Sequence, residues 1–380
     1  MNIPIGLIEK KGTPVYCYDT ELLEQTLQAI KTASDYPGYI VHYAIKANHN
    51  PEILKIVSRY LDGADVVSGG ELRAAIEAGF TPERVMFAGV GKTDNEIRYA
   101  LECGAGILNV ESEPELDVIE EIAAGMGVKA PVALRINPDV EAHTHHYITT
   151  GLPENKFGID KCRTVDMVKR CMASGHLDFK GLHFHIGSQI TDFTPYAILC
   201  GRINDIQDAL EAEGITVRSI NVGGGVGIDY DAPDGNPIPD FEGFFSTIHK
   251  NLKQRDGQEV HFELGRSVVG QCGWLITRVL FVKSAASKKF VIVDAGMTDL
   301  IRPALYQAVH KIENLTSESM KSEMYDVVGP VCESSDTFAE GVLLSETRRG
   351  DLMAIKSTGA YGEAMSMTYN CRRLPQSLFF

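Results

Sequence analysis

Between residues 39 and 266, apolar positions along the chain follow two alternating rhythms. Short runs rich in β-branched residues predict buried strands at 39–47, 64–68, 85–88, 106–110, 132–137, 181–186, 219–222 and 260–263. Between them, apolar residues recur at helical spacing over 51–61, 70–78, 94–102, 113–125 and 193–213, with Ser, Asp or Asn near several starts. Eight strand–helix units in about 250 residues is the format of a (β/α)8 barrel. Beyond Gly270 the rhythm changes to strands at 274–283, 290–293, 324–328 and 352–355, with one short helix near 301–310. That pattern predicts an all-β second domain. A strand at 13–18 precedes the barrel and is expected to pair with the C-terminal sheet. The predicted class is therefore α/β plus all-β. Residues 1–25 carry the N-terminal strand, 26–266 form a TIM-like barrel, and 267–380 form a β-sandwich or β-barrel domain.

With 44% hydrophobic and 23% charged residues, the chain of 380 residues can bury a sizeable core and is not of a disordered composition. Its best apolar stretch, 274–282, is interrupted by Arg278 and falls short of the roughly 18 residues a membrane span needs. Glu9, Lys10 and Lys11 stand where the apolar core of a secretory signal would lie, so a cytoplasmic protein is expected. A net charge of −15 disfavours nucleic acid and anionic membrane as partners and points to a small molecule. The eight cysteines show no CxxC pair and no zinc-ligand spacing, and are read mostly as reduced core residues.

In such a barrel, functional groups collect at the C-terminal ends of the strands. Those ends carry Lys46 and Asn48, Ser68, Lys92, Glu111, Asn137, His185 with Ser188, Gly223 to Gly225, and Glu263 with Arg266. Helix caps and loop starts account for Ser68, Glu111 and Asn137. On a period of two, His42, Ala44 and Lys46 share the inward face of the first strand, which aims the lysine into the barrel mouth. Desolvation there would lower its pKa toward that of a usable amine and suit it to Schiff-base chemistry. A lysine snorkelling out of a strand end is the competing reading.

Gly223, Gly224 and Gly225 would let successive backbone N–H groups approach an anion, and a phosphate is the expected guest, with Ser188 and the Gly265 turn as further donors. A tight turn uses three glycines as readily. Glu263 beside a phosphate makes sense if it faces a positive charge, and the pyridinium nitrogen of pyridoxal phosphate supplies one. His183 and His185 share one face of the sixth strand, where a ring could stack on that cofactor. No carboxylate or cysteine stands at metal-ligand spacing from this pair or from His143, His145 and His146, so no metal is expected.

Eight segments, in order, carry a resemblance that covers nearly the whole chain. They are Tyr43-Ala-Ile-Lys-Ala-Asn48, His185-Ile-Gly-Ser-Gln189, Gly223-Gly-Gly225, Glu263-Leu-Gly-Arg266, Asp294-Ala-Gly-Met297, Arg302-Pro-Ala-Leu-Tyr306, Gly329-Pro-Val-Cys-Glu-Ser-Ser-Asp336 and Gly359-Ala-Tyr-Gly362. The sequence resembles the fold-type III pyridoxal-phosphate decarboxylases, whose barrel is of the alanine racemase type, and within them the diaminopimelate decarboxylase family. The resemblance implies conversion of meso-2,6-diaminopimelate to L-lysine and carbon dioxide with pyridoxal 5'-phosphate. It implies that Lys46 forms the Schiff base, His185 stacks on the ring, and Glu263 pairs with the ring nitrogen. Ser188, Gly223, Gly224, Gly225, Gly265, Arg266 and Tyr361 would hold the cofactor, the glycines, Ser188 and Tyr361 at its phosphate. Arg266, Arg302, Tyr306, Glu333 and Tyr361 would bind substrate, and Cys332 would donate the proton from the second subunit of a homodimer with shared active sites.

The substrate chemistry agrees, because the distal carbon of diaminopimelate bears a carboxylate that Arg302 can clamp and an ammonium that Glu333 can take. Rival readings are a related decarboxylase acting on carboxynorspermidine, ornithine or arginine, a pyridoxal-phosphate carrier or regulatory protein, and a cofactor-free Schiff-base aldolase. Two departures from the family pattern stand out. Leu264 replaces a usual proline, and the chain stops soon after Tyr369-Asn370, which would remove a final strand or a disordered tail.

Overall fold

The computed structural model describes residues 3–140 and 156–380. Its strands, in chain order, are β1 (Val15–Tyr18), β2 (Tyr39–Ala44), β3 (Gly63–Val66), β4 (Val85–Phe87), β5 (Ile107–Val110), β6 (Ala130–Asn137), β7 (Ile159–Asp160), β8 (Leu177–His183), β9 (Ser219–Gly224) and β10 (Glu259–Leu264). These are followed by β11 (Gly273–Ser284), β12 (Lys289–Val293), β13 (Ile312–Asn314), β14 (Ser322–Val328), β15 (Thr337–Ser345), β16 (Leu352–Ile355) and β17 (Gln376–Phe379).

Eight parallel strands close into a barrel in the order β5-β4-β3-β2-β10-β9-β8-β6, with β6 paired back to β5 and the short β7 added beside β6. The helices between them start where the sequence offers a cap. Asn50 opens Pro51–Val57, Ser68 opens Gly69–Glu77, Ser112 opens Glu113–Met126, and Thr93 forms a full capping box with Glu96 for Asp94–Cys103. Each such cap contributes about 1 kcal/mol. Helices Thr20–Ala33, Thr164–Ala173 and Phe241–Asn251 fall outside the ranges expected to be helical. The strand expected over 39–47 stops at Ala44, and Ile45–Ala47 turn as a 3-10 helix that the Tyr43 hydroxyl ties down by donating to the Asn48 carbonyl at 2.9 Å. Lys46 is therefore a turn residue, not the third member of an alternating face. Likewise β8 ends at His183, and His185 lies beyond it.

In the β unit, β11 serves two sheets. Its first half pairs antiparallel with β1 and β16, its second half with β12, and the register shifts between Val279 and Phe281. The expected N-terminal strand, β1, lies between β11 and β17, with Ile8, Val15, Cys17, Trp274, Ile276, Leu352 and Ala354 as a buried cluster. The last strand, β17, pairs parallel with β1.

Contacts divide the chain into two units, Leu27–Gly227 with Asp240–Gly265, and the N-terminal residues through Thr26 with Ile228–Pro239 and Arg266–Phe380. Ile228–Pro239 falls inside the range expected for the barrel but belongs with the β unit. Tyr230 bonds Arg266 and Arg302, Asp234 bonds Lys311 and Lys356, and the Asn236 carbonyl accepts from Gln271. Among the described residues, no helix is long and apolar enough to cross a membrane.

Candidate active site

The barrel interior is polar where a scaffold would be apolar. His42, Asp65, Asn109, Arg135, His183, Asn221, His261 and Glu263 are all buried. Side chains of this kind enter a core only when they are paired or used. Arg135 and its neighbours are paired. Glu111 takes the Arg135 guanidinium at 2.7 Å and the amides of Gly89 and Gly158, and Lys92 donates to Glu115 and to the carbonyls of Gly89 and Asn109. Lys92 and Glu111, with Ser68 as a helix cap, are thus framework residues.

Glu263, near the end of β10, sits between β2 and β9. Its Oε1 accepts from Asn221 Nδ2 at 2.7 Å and lies 3.1 Å from His183 Nε2, an electrostatic contact rather than a well-aligned hydrogen bond. Burial by itself would raise this carboxyl. His183 and Lys46 beside it outweigh that penalty and hold Glu263 below the usual carboxylate range, so it is ionised. Asp65 on β3 goes the other way. Burial, reinforced by the Glu263 charge and opposed by Lys46, pushes it well above the ordinary value. Among the described residues, neither Asp65 oxygen, neither polar atom of the Asn109 amide, nor Nδ1 of His183 has a hydrogen-bond partner.

Steric demand explains the three glycines. A Cβ on Gly224 would meet the Glu263 carbonyl oxygen at 1.7 Å, and one on Gly225 the Gly187 carbonyl oxygen at 2.2 Å. Gly223 and Gly225 also hold φ of +75° and +97°. Two of the three amides have partners within the protein. The Gly223 N–H donates to Asn221 Oδ1 at 2.8 Å and the Gly224 N–H to His185 Nδ1 at 3.3 Å. The second bond makes Nδ1 of His185 an acceptor. Desolvation, then Lys46 and Arg135, lower the His185 pKa well below its ordinary value, so the ring is neutral. Gly265 lets its turn close on the Lys46 turn, since a Cβ there would lie 3.1 Å from the methyls of Ala44 and Ala47.

These residues fit pyridoxal phosphate. A lysine, an ionised buried carboxylate and a neutral imidazole share one barrel mouth, beside a glycine segment that any side chain would fill and buried polar atoms with no protein partner. Ser188 lies at the same mouth, partly accessible.

The β unit gathers a second group. Arg266 and Arg302 are both buried, and both donate through Nη1 to the hydroxyl of Tyr230, at 2.7 and 2.9 Å. The Arg266 guanidinium also lies 4.9 Å from the centre of the Tyr361 ring, and Tyr306 contributes to its field. Cys332 and Glu333 are exposed on the loop after β14. The Cys332 amide donates to Asn370 Oδ1 at 3.3 Å, and Glu333 Oε1 accepts from the Tyr369 hydroxyl at 2.6 Å. Neither makes a hydrogen bond or ion pair with Arg266 or Arg302 of the same chain. Tyr230, Asn221 and Asp65 went unrecognised in the sequence. Tyr230 sits in an aperiodic segment, and Asn221 and Asp65 look like ordinary strand residues. His143, His145 and His146 lie outside the described residues.

Residues 22–270 match the family model described as pyridoxal-dependent decarboxylase, pyridoxal binding domain. The chain is 56% identical over 377 residues to a diaminopimelate decarboxylase of Bacteroides thetaiotaomicron, covering 98% of this chain and 97% of that one. Against the diaminopimelate decarboxylase of Aquifex aeolicus it is 41% identical over 367 residues, covering 96% and 86%. The crystal structure of the Helicobacter pylori diaminopimelate decarboxylase complexed with L-lysine matches with a TM-score of 0.93 at 42% identity, covering 99% of this chain and 93% of that one. The lysine/ornithine decarboxylase of Vibrio vulnificus, with a TM-score of 0.86 at 20% identity, shares the fold.

Proposed function

The chain belongs to the diaminopimelate decarboxylase family of pyridoxal-dependent decarboxylases, and we propose the residue roles by which it turns meso-2,6-diaminopimelate into L-lysine and carbon dioxide. Its cofactor is pyridoxal 5'-phosphate. When bound, the cofactor supplies an aldehyde for the substrate amine and a ring that accepts the electron pair released with carbon dioxide.

Lys46 would hold the cofactor through its amine, and His185 would lie against the ring as a neutral imidazole. Glu263 would face the ring nitrogen. The observation that carries this assignment is the buried Glu263 carboxylate, held by Asn221 Nδ2 at 2.7 Å and 3.1 Å from His183 Nε2, whose negative charge favours a protonated nitrogen over a neutral one. Ser188, Gly223, Gly224, Gly225, Gly265, Arg266 and Tyr361 would serve the rest of the cofactor, with the glycines contributing mainly close backbone approach.

Arg302, with Arg266, Tyr306 and Tyr361, would orient the substrate carboxylate that is not lost, and Glu333 would take the ammonium beside it. Cys332 would deliver the proton to the carbon that loses carbon dioxide. That the exposed Cys332 and Glu333 make no hydrogen bond or ion pair with Arg266 or Arg302 of their own chain supports their acting in a partner's site, in a homodimer with shared active sites. Met324 and Leu343, exposed and directly opposed across β14 and β15, offer an apolar surface for such a partner. Eight unpaired cysteines support a reducing, cytoplasmic setting.

The test is carbon dioxide release from meso-diaminopimelate by protein loaded with pyridoxal phosphate, with ornithine, arginine and carboxynorspermidine in parallel. Release from the first alone is expected. Release only from another substrate would overturn the roles of Arg302 and Glu333.

A further inference from the structure

Arg302 opens the short helix Arg302–Tyr306 and is 6% exposed. A buried guanidinium normally meets a carboxylate. Here, among the described residues, its hydrogen-bonding partners are both uncharged. Nη1 donates to the Tyr230 hydroxyl at 2.9 Å and lies 3.0 Å from Nε2 of His310. Those two bonds use both hydrogens of Nη1. The Nε–H and Nη2–H groups make no hydrogen bond to a described residue. They include the guanidinium edge whose parallel N–H bonds match a carboxylate.

The acceptor role of His310 follows from its other nitrogen. Nδ1 lies 2.9 Å from the Lys356 carbonyl oxygen, which can only accept, so the ring proton resides on Nδ1 and the Nε2 lone pair faces Arg302. Burial, then the Arg302 charge, push His310 down to about 3, so the ring stays neutral. The carbonyl itself is held in place. The Lys356 amide donates to the Lys311 carbonyl, and its ammonium is tied to Asp234 and Glu313 at 2.8 Å. Tyr230 completes the arrangement by accepting from Arg266 as well, which links the two arginines through one oxygen.

We propose that His310 and Tyr230 are positioning residues that grip Arg302 by one end and leave its opposite edge, with its full charge, to the substrate carboxylate that survives the reaction. They thereby set the preference for a substrate carrying a second carboxylate. An acidic residue at either place would neutralise the guanidinium and compete with that carboxylate. Neutral acceptors orient it without competing. The inference rests on Arg302 being the carboxylate clamp of the proposed reaction.

The experiment compares inhibition of the holoenzyme by L-lysine, which carries that carboxylate, and by 1,5-diaminopentane, which lacks it. The parent should bind L-lysine more tightly. His310→Leu and Tyr230→Phe should each weaken L-lysine about tenfold, the worth of one charge-assisted hydrogen bond. Inhibition by the diamine and the cofactor absorbance should stay put, with KM for diaminopimelate rising more than kcat falls. His310→Gln, which returns an acceptor oxygen, should recover most of the loss, and His310→Asp should bind L-lysine worse than His310→Leu. A parent indifferent to the carboxylate would overturn the Arg302 clamp itself. A discriminating parent whose variants discriminate equally well, or lose both inhibitors alike, would overturn the positioning role alone.

Discussion

Glu111→Ala isolates the cost of the polar interior that surrounds the barrel mouth. Its carboxylate pairs with Arg135 at 2.7 Å, with side-chain exposures of 1% and 8%, and also accepts from the amides of Gly89 and Gly158 at 3.2 and 3.1 Å. Deleting one member of a buried pair leaves the other charge uncompensated, about 3–5 kcal/mol. The two amides add about 1 kcal/mol each at most, and the terms overlap because they share one acceptor. The expected loss is therefore about 4–6 kcal/mol, a large share of the roughly 5–15 kcal/mol that holds a typical domain folded. The companion Glu111→Gln, Arg135→Met double variant removes both charges and should return to within about 2 kcal/mol of the parent. Urea denaturation followed by far-ultraviolet circular dichroism measures both. The single tryptophan, Trp274, lies in the β unit, so its fluorescence would not report on the barrel directly. A single variant within about 1 kcal/mol of the parent, or a double variant no better than the single, would refute the reasoning.

Asp65→Asn should stabilise the apoprotein at neutral pH. With its folded pKa raised above the ordinary 3.8, Asp65 gives its stability in full below that value and loses it as pH rises toward the folded pKa, so variant and parent denaturation midpoints should diverge from acid to neutral; parallel curves would refute it. His42 is pushed from 6.5 to about 3, chiefly by burial, so the folded state stays neutral while the unfolded chain takes up a proton. Stability should fall by up to about 1.4 kcal/mol per pH unit between those values on acidification. His42→Asn should flatten that slope. Cys332→Ala should lower kcat by about 10²–10⁴ while leaving the cofactor absorbance in place, and mixing it with inactive Lys46→Ala should restore about a quarter of parental activity through hybrid dimers. No recovery on mixing would exclude a site shared between subunits.

Much of this is legible in the sequence. The alternation of β-branched runs with capped helical stretches specifies a barrel because strand and helix periods are local properties, and the caps at Asn50, Ser68, Thr93 and Ser112 sit where the sequence places Asn, Ser and Thr. Lys46, Gly223 to Gly225 and Glu263 announce themselves as chemistry at strand ends, and the order of the eight signature segments points to the family. Tertiary structure alone decided who partners whom. Tyr230 meets Arg266 and Arg302 across 36 and 72 residues of chain, so no window of the sequence contains the contact. The tautomer of His310 depends on a carbonyl 46 residues away, and the ionised state of Glu263 on side chains delivered by neighbouring strands. Two glycine amides have partners within the protein because Asn221 and His185 arrive beside them. Local pattern dictates which elements form and which residues stand at their ends. Charge state, tautomer and hydrogen-bond direction follow from the neighbours that folding brings within a few ångströms.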